Sequence, residues 1–165
     1  MRFSTVILIV ATIIWGTLLG GIVYSHIVYF PAYLSHLPES AVVVTGPYGL
    51  KEGYFWMTIH PLLILSLIIA LIANWKNKRR RKLLLFSSIL YAVVLAITSI
   101  YFLPELAQFE KSASSAISAE QWKGRTNRWF TFSIIRGIVM YAGIVPLVIG
   151  LTRPAVAESN YVAGS

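Results

Sequence analysis

Residues 61–97 read PLLILSLIIALIANWKNKRRRKLLLFSSILYAVVLAI, two apolar stretches on either side of a short basic segment. A helix needs about 20 mostly apolar residues to cross a bilayer, and each stretch is long enough. Lysine and arginine concentrate in cytoplasmic loops. The pattern therefore predicts a helical hairpin that crosses the membrane twice and has its turn in the cytoplasm. The basic residues of the turn are Lys76, Lys78, Arg79, Arg80, Arg81 and Lys82.

Apolar stretches of similar length lie on both sides of this hairpin. The predicted spans are residues 5–30, 54–75, 83–103 and 129–151. Lipid cannot satisfy open backbone groups, and the alternating segments of a membrane β-barrel are missing. The predicted fold class is therefore all-α, a four-helix transmembrane bundle with both the N- and C-termini cytoplasmic. Residues 1–153 would form one integral membrane domain, and residues 154–165 a disordered C-terminal tail.

Composition supports a multi-pass protein of the cell membrane. Apolar residues make up 57% of the chain and charged residues only 12%, which is too few for the surface of a small soluble domain. The net charge of +8 resembles that of a nucleic-acid-binding protein. However, its largest cluster, residues 76–82, lies between two spans, so anionic lipid headgroups are the predicted partner and nucleic acid is not. The absence of cysteine excludes disulfides and thiolate sites.

Two histidines are predicted at similar depth near the outer ends of the first two spans. His26 lies about one turn before the end of the first span, and His60 about a turn and a half into the second. Imidazole ligates iron, copper or haem and also transfers protons, so both residues are candidate metal ligands and catalytic groups. The alternative is that each bonds a neighbouring hydroxyl or carbonyl, since no H-x-x-x-H spacing supports a metal site.

Arg136 falls about two turns into the last span. A charged side chain facing lipid there costs about 2.5–3.5 kcal/mol on insertion scales. Arg136 is therefore predicted to face the bundle interior and to find an anion or carbonyl groups. The alternative is that its long side chain reaches the interface.

A candidate partner for Arg136 comes from the third span. Glu105 lies at the outer end of a polar stripe on this span, which also contains Tyr91, Thr98 and Tyr101. An ion pair between Glu105 and Arg136 would neutralise both charges, and a solvent-exposed Glu105 is the alternative. The candidate catalytic site consists of His26, His60, Glu105 and Arg136. Two histidines and a carboxylate are also the ligand set of non-haem iron oxygenases.

Further motifs concern helix packing and the outer loops. The Gly16-x-x-x-Gly20 motif lets helix backbones approach closely, either within the bundle, which is the favoured interpretation, or between two copies in a homo-oligomer. Ser118 and Gln121 fit a capping box, so a helix is predicted to begin there and to continue into the last span. Trp122 and Trp129 would then lie in the interfacial aromatic belt. The predicted mouth of the site contains His36, Lys51, Glu52, Arg125, Asn127 and Arg128.

Two segments resemble a known family. They are His26-Ile-Val-Tyr-Phe-Pro-Ala-Tyr33 and residues 122–136, which read WKGRTNRWFTFSIIR. With the four-span layout, they resemble the anthrone-oxygenase-like family of small membrane proteins, whose fungal enzymes oxidise aromatic anthrones with molecular oxygen. Family members often carry a histidine shortly before the final arginine, where this chain has Phe132 and Ser133. The resemblance implies an aromatic or quinone-like ligand in an outer-facing pocket of the bundle.

Two classes of function follow from these patterns. The first is an oxidoreductase or oxygenase-like protein that acts on, or binds, an aromatic or quinone-like molecule from the outer half of the bilayer. In it, His26 or His60 is a base or ligand, and Arg136 stabilises an oxyanion. The second is a non-enzymatic accessory or structural subunit, or a small-molecule carrier, in which Arg136 only tethers the bundle.

Overall fold

The computed structural model describes residues 2–112 and 116–154, which form an all-α bundle. The predicted disordered tail lies outside the described residues except for Pro154. The α-helices are α1 (Phe3–Tyr24), α2 (Phe30–Leu34), α3 (Gly53–Ala73), α4 (Lys78–Ile97), α5 (Leu103–Glu110) and α6 (Ala119–Leu151). Ser25–Tyr29 is a π-helical turn between α1 and α2, and Thr98–Phe102 is another between α4 and α5. A short 3-10 helix covers Glu39–Val43.

Within the described residues, four continuous helices are long and apolar enough to cross a membrane: Phe3–Leu34, Gly53–Ala73, Lys78–Glu110 and Ala119–Leu151. The predicted four-helix fold is therefore confirmed, and the chain is an integral membrane protein with four candidate spans. Three of these helices have 32 or 33 residues. At 1.5 Å per residue they are about 50 Å long, against about 30 Å for the hydrocarbon layer.

These three helices continue beyond the predicted spans, whose bounds stay a prediction. Pro31 and Pro104 directly follow the predicted first and third spans, and each lies in the first turn of a new α-helix that directly follows a π-helical turn. A proline is tolerated in a first turn because its missing N–H is not needed there. The predicted capping box is confirmed: the Ser118 side chain accepts from the Gln121 backbone, and the Gln121 side chain accepts from the Ser118 backbone.

The membrane core forms where α1 packs on α3 and α6, and α4 packs on α6. α3 and α4 touch over a shorter stretch, although they are joined by the basic turn. Trp15 is fully buried in this core, and its indole N–H donates to the Met140 carbonyl at 3.1 Å. Gly143 packs directly against the Trp15 ring. A Cβ at this position would come within 2.6 Å of the ring, so there is no room for a side chain.

A second core lies at one end of the bundle, which we call the aromatic end. Its buried side chains are Tyr29, Phe30, Tyr33, Leu34, Leu37, Ala41, Val44, Phe102, Phe109, Trp122 and Trp129. The predicted interfacial belt is wrong for Trp122 and Trp129, which are each 1% exposed. They are buried because α6 begins well before the apolar span, so its first turns pack beneath α2 and α5. The Trp129 indole donates to the Phe102 carbonyl at 3.2 Å.

The opposite, basic end is defined by the turn between α3 and α4 and by the ends of α1 and α6. Arg80 is 2% exposed there. Its guanidinium donates to the Arg153 carbonyl, to Thr5 Oγ1 at 3.1 Å and to Asn74 Oδ1 at 3.2 Å. Because α4 begins at Lys78 and is capped by Asn77, position 80 faces the bundle. Arg80 was predicted to contact anionic headgroups with its neighbours, and for this residue the prediction is wrong.

The glycine motif of α1 does not pack inside the bundle. Gly16 and Gly20 are exposed, and a Cβ at either position would have no neighbouring atom within 4 Å. The favoured interpretation of close packing within the bundle is therefore wrong. The neighbouring Gly21 is the position that packs, against the Phe55 ring of α3. A contact between two copies through Gly16 and Gly20 stays a prediction.

Candidate functional site

The candidate site is built around the two π-helical turns. A π turn inserts an extra residue into a helix and changes the direction of the side chains around it, and such turns are frequent at functional sites. The turn at Ser25–Tyr29 carries His26, and the turn at Thr98–Phe102 carries the side chains that contact Arg136. Both turns therefore direct side chains toward α6.

A row of hydrogen bonds connects α6 with the first π turn. Arg136 Nη2 donates to Ser133 Oγ at 3.0 Å, and Ser133 Oγ lies 3.1 Å from His26 Nε2. His26 Nδ1 lies 2.7 Å from the Ile22 carbonyl, which only accepts. All four groups are satisfied when Nδ1 carries the proton and Ser133 donates to Nε2. The row therefore favours the His26 tautomer that carries its proton on Nδ1 and leaves Nε2 as an acceptor.

Arg136 faces the bundle interior, as predicted. Its Nη1 donates to Thr98 Oγ1 at 3.2 Å, and the guanidinium carbon lies 4.0 Å from the centroid of the Phe102 ring. The ring face is the negative pole of its quadrupole, so it attracts the cation. Arg136 thus bonds two hydroxyls and stacks on an aromatic ring.

The predicted pair between Glu105 and Arg136 is wrong. Glu105 pairs instead with Arg125, whose Nη2 lies 2.8 Å from either carboxylate oxygen, and the same nitrogen donates to Gln108. α6 extends far beyond the apolar span, so it places Arg125 about three turns nearer the aromatic end than Arg136. The α5 helix that carries Glu105 reaches that same level. Glu105 therefore belongs to the polar border of the aromatic end.

Glu52 directly precedes α3 and bonds the first π turn. Ser25 Oγ lies 2.9 and 3.1 Å from its two carboxylate oxygens, and the Trp56 indole N–H donates to it at 3.2 Å. Burial raises the pKa of the Glu52 carboxyl above its ordinary value, while the bonds from Ser25 and Trp56 act in the opposite direction. Glu52 was predicted only at the mouth of the site.

His60 belongs to a neighbouring network. Its Nδ1 lies 2.6 Å from the Tyr91 hydroxyl of α4, and its ring stacks on Trp56 at a centroid distance of 5.7 Å. Trp56 therefore connects His60 with Glu52. The His60–Tyr91 bond joins α3 to α4, whereas His26 bonds α6, so the two histidines bond different helices.

The predicted metal site is not tested by these contacts and stays a prediction. Within residues 2–112 and 116–154, no three His, Asp or Glu side chains are grouped so that they could hold a metal ion. Both ring nitrogens of His26 lie within hydrogen-bond distance of a protein group, so ligation by His26 would displace either Ser133 or the Ile22 carbonyl. In His60, Nε2 is the nitrogen that is not facing Tyr91.

A shallow groove of about 250 Å³ lies beside the row, between α2 and the first half of α6. Its lining residues are Phe30, Pro31, Leu34, Ser35, Thr126, Asn127 and Phe130. Two of them contact the imidazole of His26, since the Phe30 and Phe130 rings lie 5.5 and 5.6 Å from it between centroids. The groove combines apolar walls with an amide and two hydroxyls, which suits a flat ring that carries oxygen substituents.

Several of these residues were not identified as site residues from the sequence. Ser133 was noted only where the family often carries a histidine, and Ser25 was not noted at all. The signal for Ser133 was its spacing of three residues before Arg136, which places both on one helix face. The π turns that bring Ser25 and Thr98 into place leave no composition or periodicity signal.

Comparisons with models of protein families, with curated proteins and with solved structures found no match for this chain. The resemblance to the anthrone-oxygenase-like family therefore depends on the two sequence segments alone.

Proposed function

We propose that this protein binds an aromatic or quinone-like molecule at the aromatic end and acts on it as an oxidoreductase or oxygenase-like protein. The observation that carries the proposal is the contact of the groove with His26. Phe30 and Phe130 line the groove and pack on the imidazole. A flat ligand between the two helices would therefore lie next to a polar row that continues to Arg136.

His26 is the group proposed to handle a proton. Its Nε2 accepts from Ser133, and an imidazole nitrogen in this state is the acceptor that a proton transfer from a bound ligand requires. Ser133 in turn accepts from Arg136, so the guanidinium orients the hydroxyl toward the imidazole. His60 is proposed as a second base or ligand, held by Tyr91. Glu105 orients Arg125 at the border of the aromatic end.

The orientation proposed for this function places the basic end in the cytoplasm and the aromatic end at the outer face. The ligand then enters from the outer half of the bilayer. The side chains proposed to contact anionic headgroups are Lys76, Lys78, Arg79, Arg81 and Lys82. Arg81 also lies 5.0 Å from the Trp75 ring, a pairing suited to the membrane interface. A homo-oligomer through Gly16 and Gly20 is compatible with this orientation.

Binding of 2-methyl-1,4-naphthoquinone by the purified protein in a non-ionic detergent tests the proposal. Trp129 lies 4.7 Å from Phe30 between ring centroids, so quenching of tryptophan fluorescence reports a ring bound in the groove. Phe130→Ala is expected to weaken binding about tenfold, because an aromatic pair contributes about 0.5–1.5 kcal/mol beyond the buried area.

Phe86→Ala is the matched control, since Phe86 is 57% exposed on the membrane-facing side of α4. It should bind the quinone with unchanged affinity. Quenching that does not saturate, or equal affinities for both variants, would contradict the proposal.

A second candidate, the accessory or structural subunit, is favoured by a specific observation. The polar side chains of the site already bond one another: Arg136 bonds Ser133 and Thr98, and His60 bonds Tyr91. Such bonds also serve to hold four helices together. This candidate predicts that Phe130→Ala has no effect on quinone quenching, so the same titration separates the two functions.

A further inference from the structure

Arg136 is a cation within the apolar part of the bundle that has no carboxylate partner among the described residues. Its bonds go to the hydroxyls of Thr98 and Ser133, which are both neutral. The Phe102 ring adds a cation–π contact at 4.0 Å. Removing a guanidinium from water is costly, and neutral partners compensate for it less completely than an anion does.

The glutamates of the aromatic end are committed elsewhere or lie outside the bundle. Glu52 accepts from Ser25 and Trp56, and Glu105 pairs with Arg125. Glu39, Glu110 and Glu120 are exposed. In the described ranges, therefore, the chain itself does not supply a counter-charge for Arg136.

The guanidinium retains the capacity to bind a ligand. Arginine carries five N–H donors in a planar fork, and Arg136 has one bond from Nη1 and one from Nη2. The residue as a whole is intermediate in exposure and not fully enclosed by the bundle.

We propose that Arg136 binds the oxyanion of a membrane-partitioned acid, a carboxylate or phenolate, beside Phe102 and the Thr98 hydroxyl. A planar oxyanion accepts two parallel bonds from a guanidinium fork. Phe102 already stacks on the cation and provides an apolar wall for the hydrocarbon part of the acid. This site lies on the α4 side of α6, whereas the groove lies on the α2 side, so the inference goes beyond the proposed function.

The site is also connected to the row that ends at His26. Ser133 Oγ accepts from Arg136 Nη2 and also bonds His26. An anion bound to the guanidinium therefore alters the hydrogen bond that Arg136 donates to Ser133. Occupancy of the Arg136 site would thereby alter the hydrogen bond at His26 Nε2. This gives a readout at His26 that does not require any catalytic activity.

The test compares two acids with their uncharged methyl esters, using purified protein in a non-ionic detergent. The probes are 9-anthracenecarboxylic acid and palmitic acid, and the readout is tryptophan fluorescence for both. The protein is expected to bind an acid at least about tenfold more tightly than its ester, as one charge-assisted bond contributes about 1.5–3 kcal/mol. A larger preference for acid over ester with 9-anthracenecarboxylic acid identifies the ligand as an aromatic acid. A larger preference with palmitic acid identifies it as a lipid-derived acid.

Arg136→Gln should abolish the preference for acid over ester, and Arg136→Lys should retain part of it, because the charge remains without the fork. Lys123→Gln is the matched control, since Lys123 is an exposed cation on the same helix. It should keep the full preference. Circular dichroism checks that each variant is helical, and Arg136→Lys allows the test if Arg136→Gln does not fold.

Equal binding of acid and ester by the native protein would overturn the inference, as would a full preference in Arg136→Gln. Loss of the preference in Lys123→Gln would assign the preference to surface charge and would overturn the inference too. Phe130→Ala should leave the preference unchanged. The experiments therefore distinguish a groove that does not bind the quinone from an Arg136 site that does not bind an oxyanion.

Discussion

The two ends of the bundle each hold an arginine that faces the other helices, and they satisfy it differently. At the basic end, Arg80 lies where α6 ends, and it donates to the Arg153 carbonyl as well as to Thr5 and Asn74. Arg153 follows the C-cap of α6, so its carbonyl has no partner within the helix and can accept from the guanidinium. Arg80 is therefore satisfied entirely within the chain.

At the aromatic end, Arg136 lies in the middle of α6. Backbone carbonyls in mid-helix are already bonded within the helix, so only side chains and ring faces remain as partners. Arg136 accordingly has Thr98, Ser133 and Phe102. The position of an arginine relative to helix ends thus distinguishes a structural residue from one that can still bind a ligand.

The largest effect is expected from Arg80→Leu. The change leaves the Arg153 carbonyl and the Asn74 amide oxygen without their donor at the buried basic end. Each unsatisfied buried group costs about 1–3 kcal/mol, so a loss of about 3 kcal/mol in the free energy of unfolding is expected. Thermal unfolding in detergent measures it.

Arg79→Leu is the control, because Arg79 is the exposed neighbour in the same turn of α4. It should change stability by less than about 0.5 kcal/mol. If the two variants unfold alike, Arg80 does not hold the ends of the helices together, and the contrast between the two arginines is lost.

The same contrast shows what sequence could predict. Long apolar stretches determined the four spans, and the depth of Arg136 in the last stretch determined that it faces inward. Both follow from the cost of polar groups in hydrocarbon. Arg80 could not be separated from its basic neighbours in this way, because its burial depends on where α4 begins and on the end of α6, which is distant in sequence.

The sequence predicted which residues belong to the site better than it predicted which residues they bond. The Tyr91 and Thr98 stripe contained the residues that bond His60 and Arg136, since a helix face follows from spacing. The pairing of Glu105 with Arg125 was missed because it depends on α6 extending beyond its apolar part. The bond from Ser25 to Glu52 depends on a π turn, which no spacing rule anticipates.

A smaller effect, confined to the aromatic end, is expected for the pH dependence of stability. Burial raises the pKa of Glu52 from its ordinary value of 4.5. The folded state therefore holds the proton more tightly than the unfolded state, so Glu52 contributes stability below pH 4.5 that is lost as the pH rises through its folded pKa. Glu52→Gln should remove this dependence, so its stability relative to the native protein should rise with pH.

Unfolding temperatures measured from about pH 4 to about pH 8 test this, with Glu120→Gln as the exposed control. Parallel curves for the native protein and Glu52→Gln would show that burial does not govern this carboxyl. If the pH dependence of the unfolding temperature persists in Glu52→Gln but is lost in Arg80→Leu, the titrating group lies at the basic end instead.

The smallest effect on stability is expected from Arg136→Leu, and it is the most direct test of the contrast. Thr98 Oγ1 already donates to the Val94 carbonyl at 2.7 Å, and Ser133 can still donate to His26. Removing the guanidinium thus leaves no hydroxyl proton without an acceptor, and it relieves the cost of a poorly neutralised cation. The free energy of unfolding should stay within about 1 kcal/mol of the native value. A loss as large as that of Arg80→Leu would show that Arg136 is equally structural, and that its contacts with Thr98, Ser133 and Phe102 are sufficient to satisfy it.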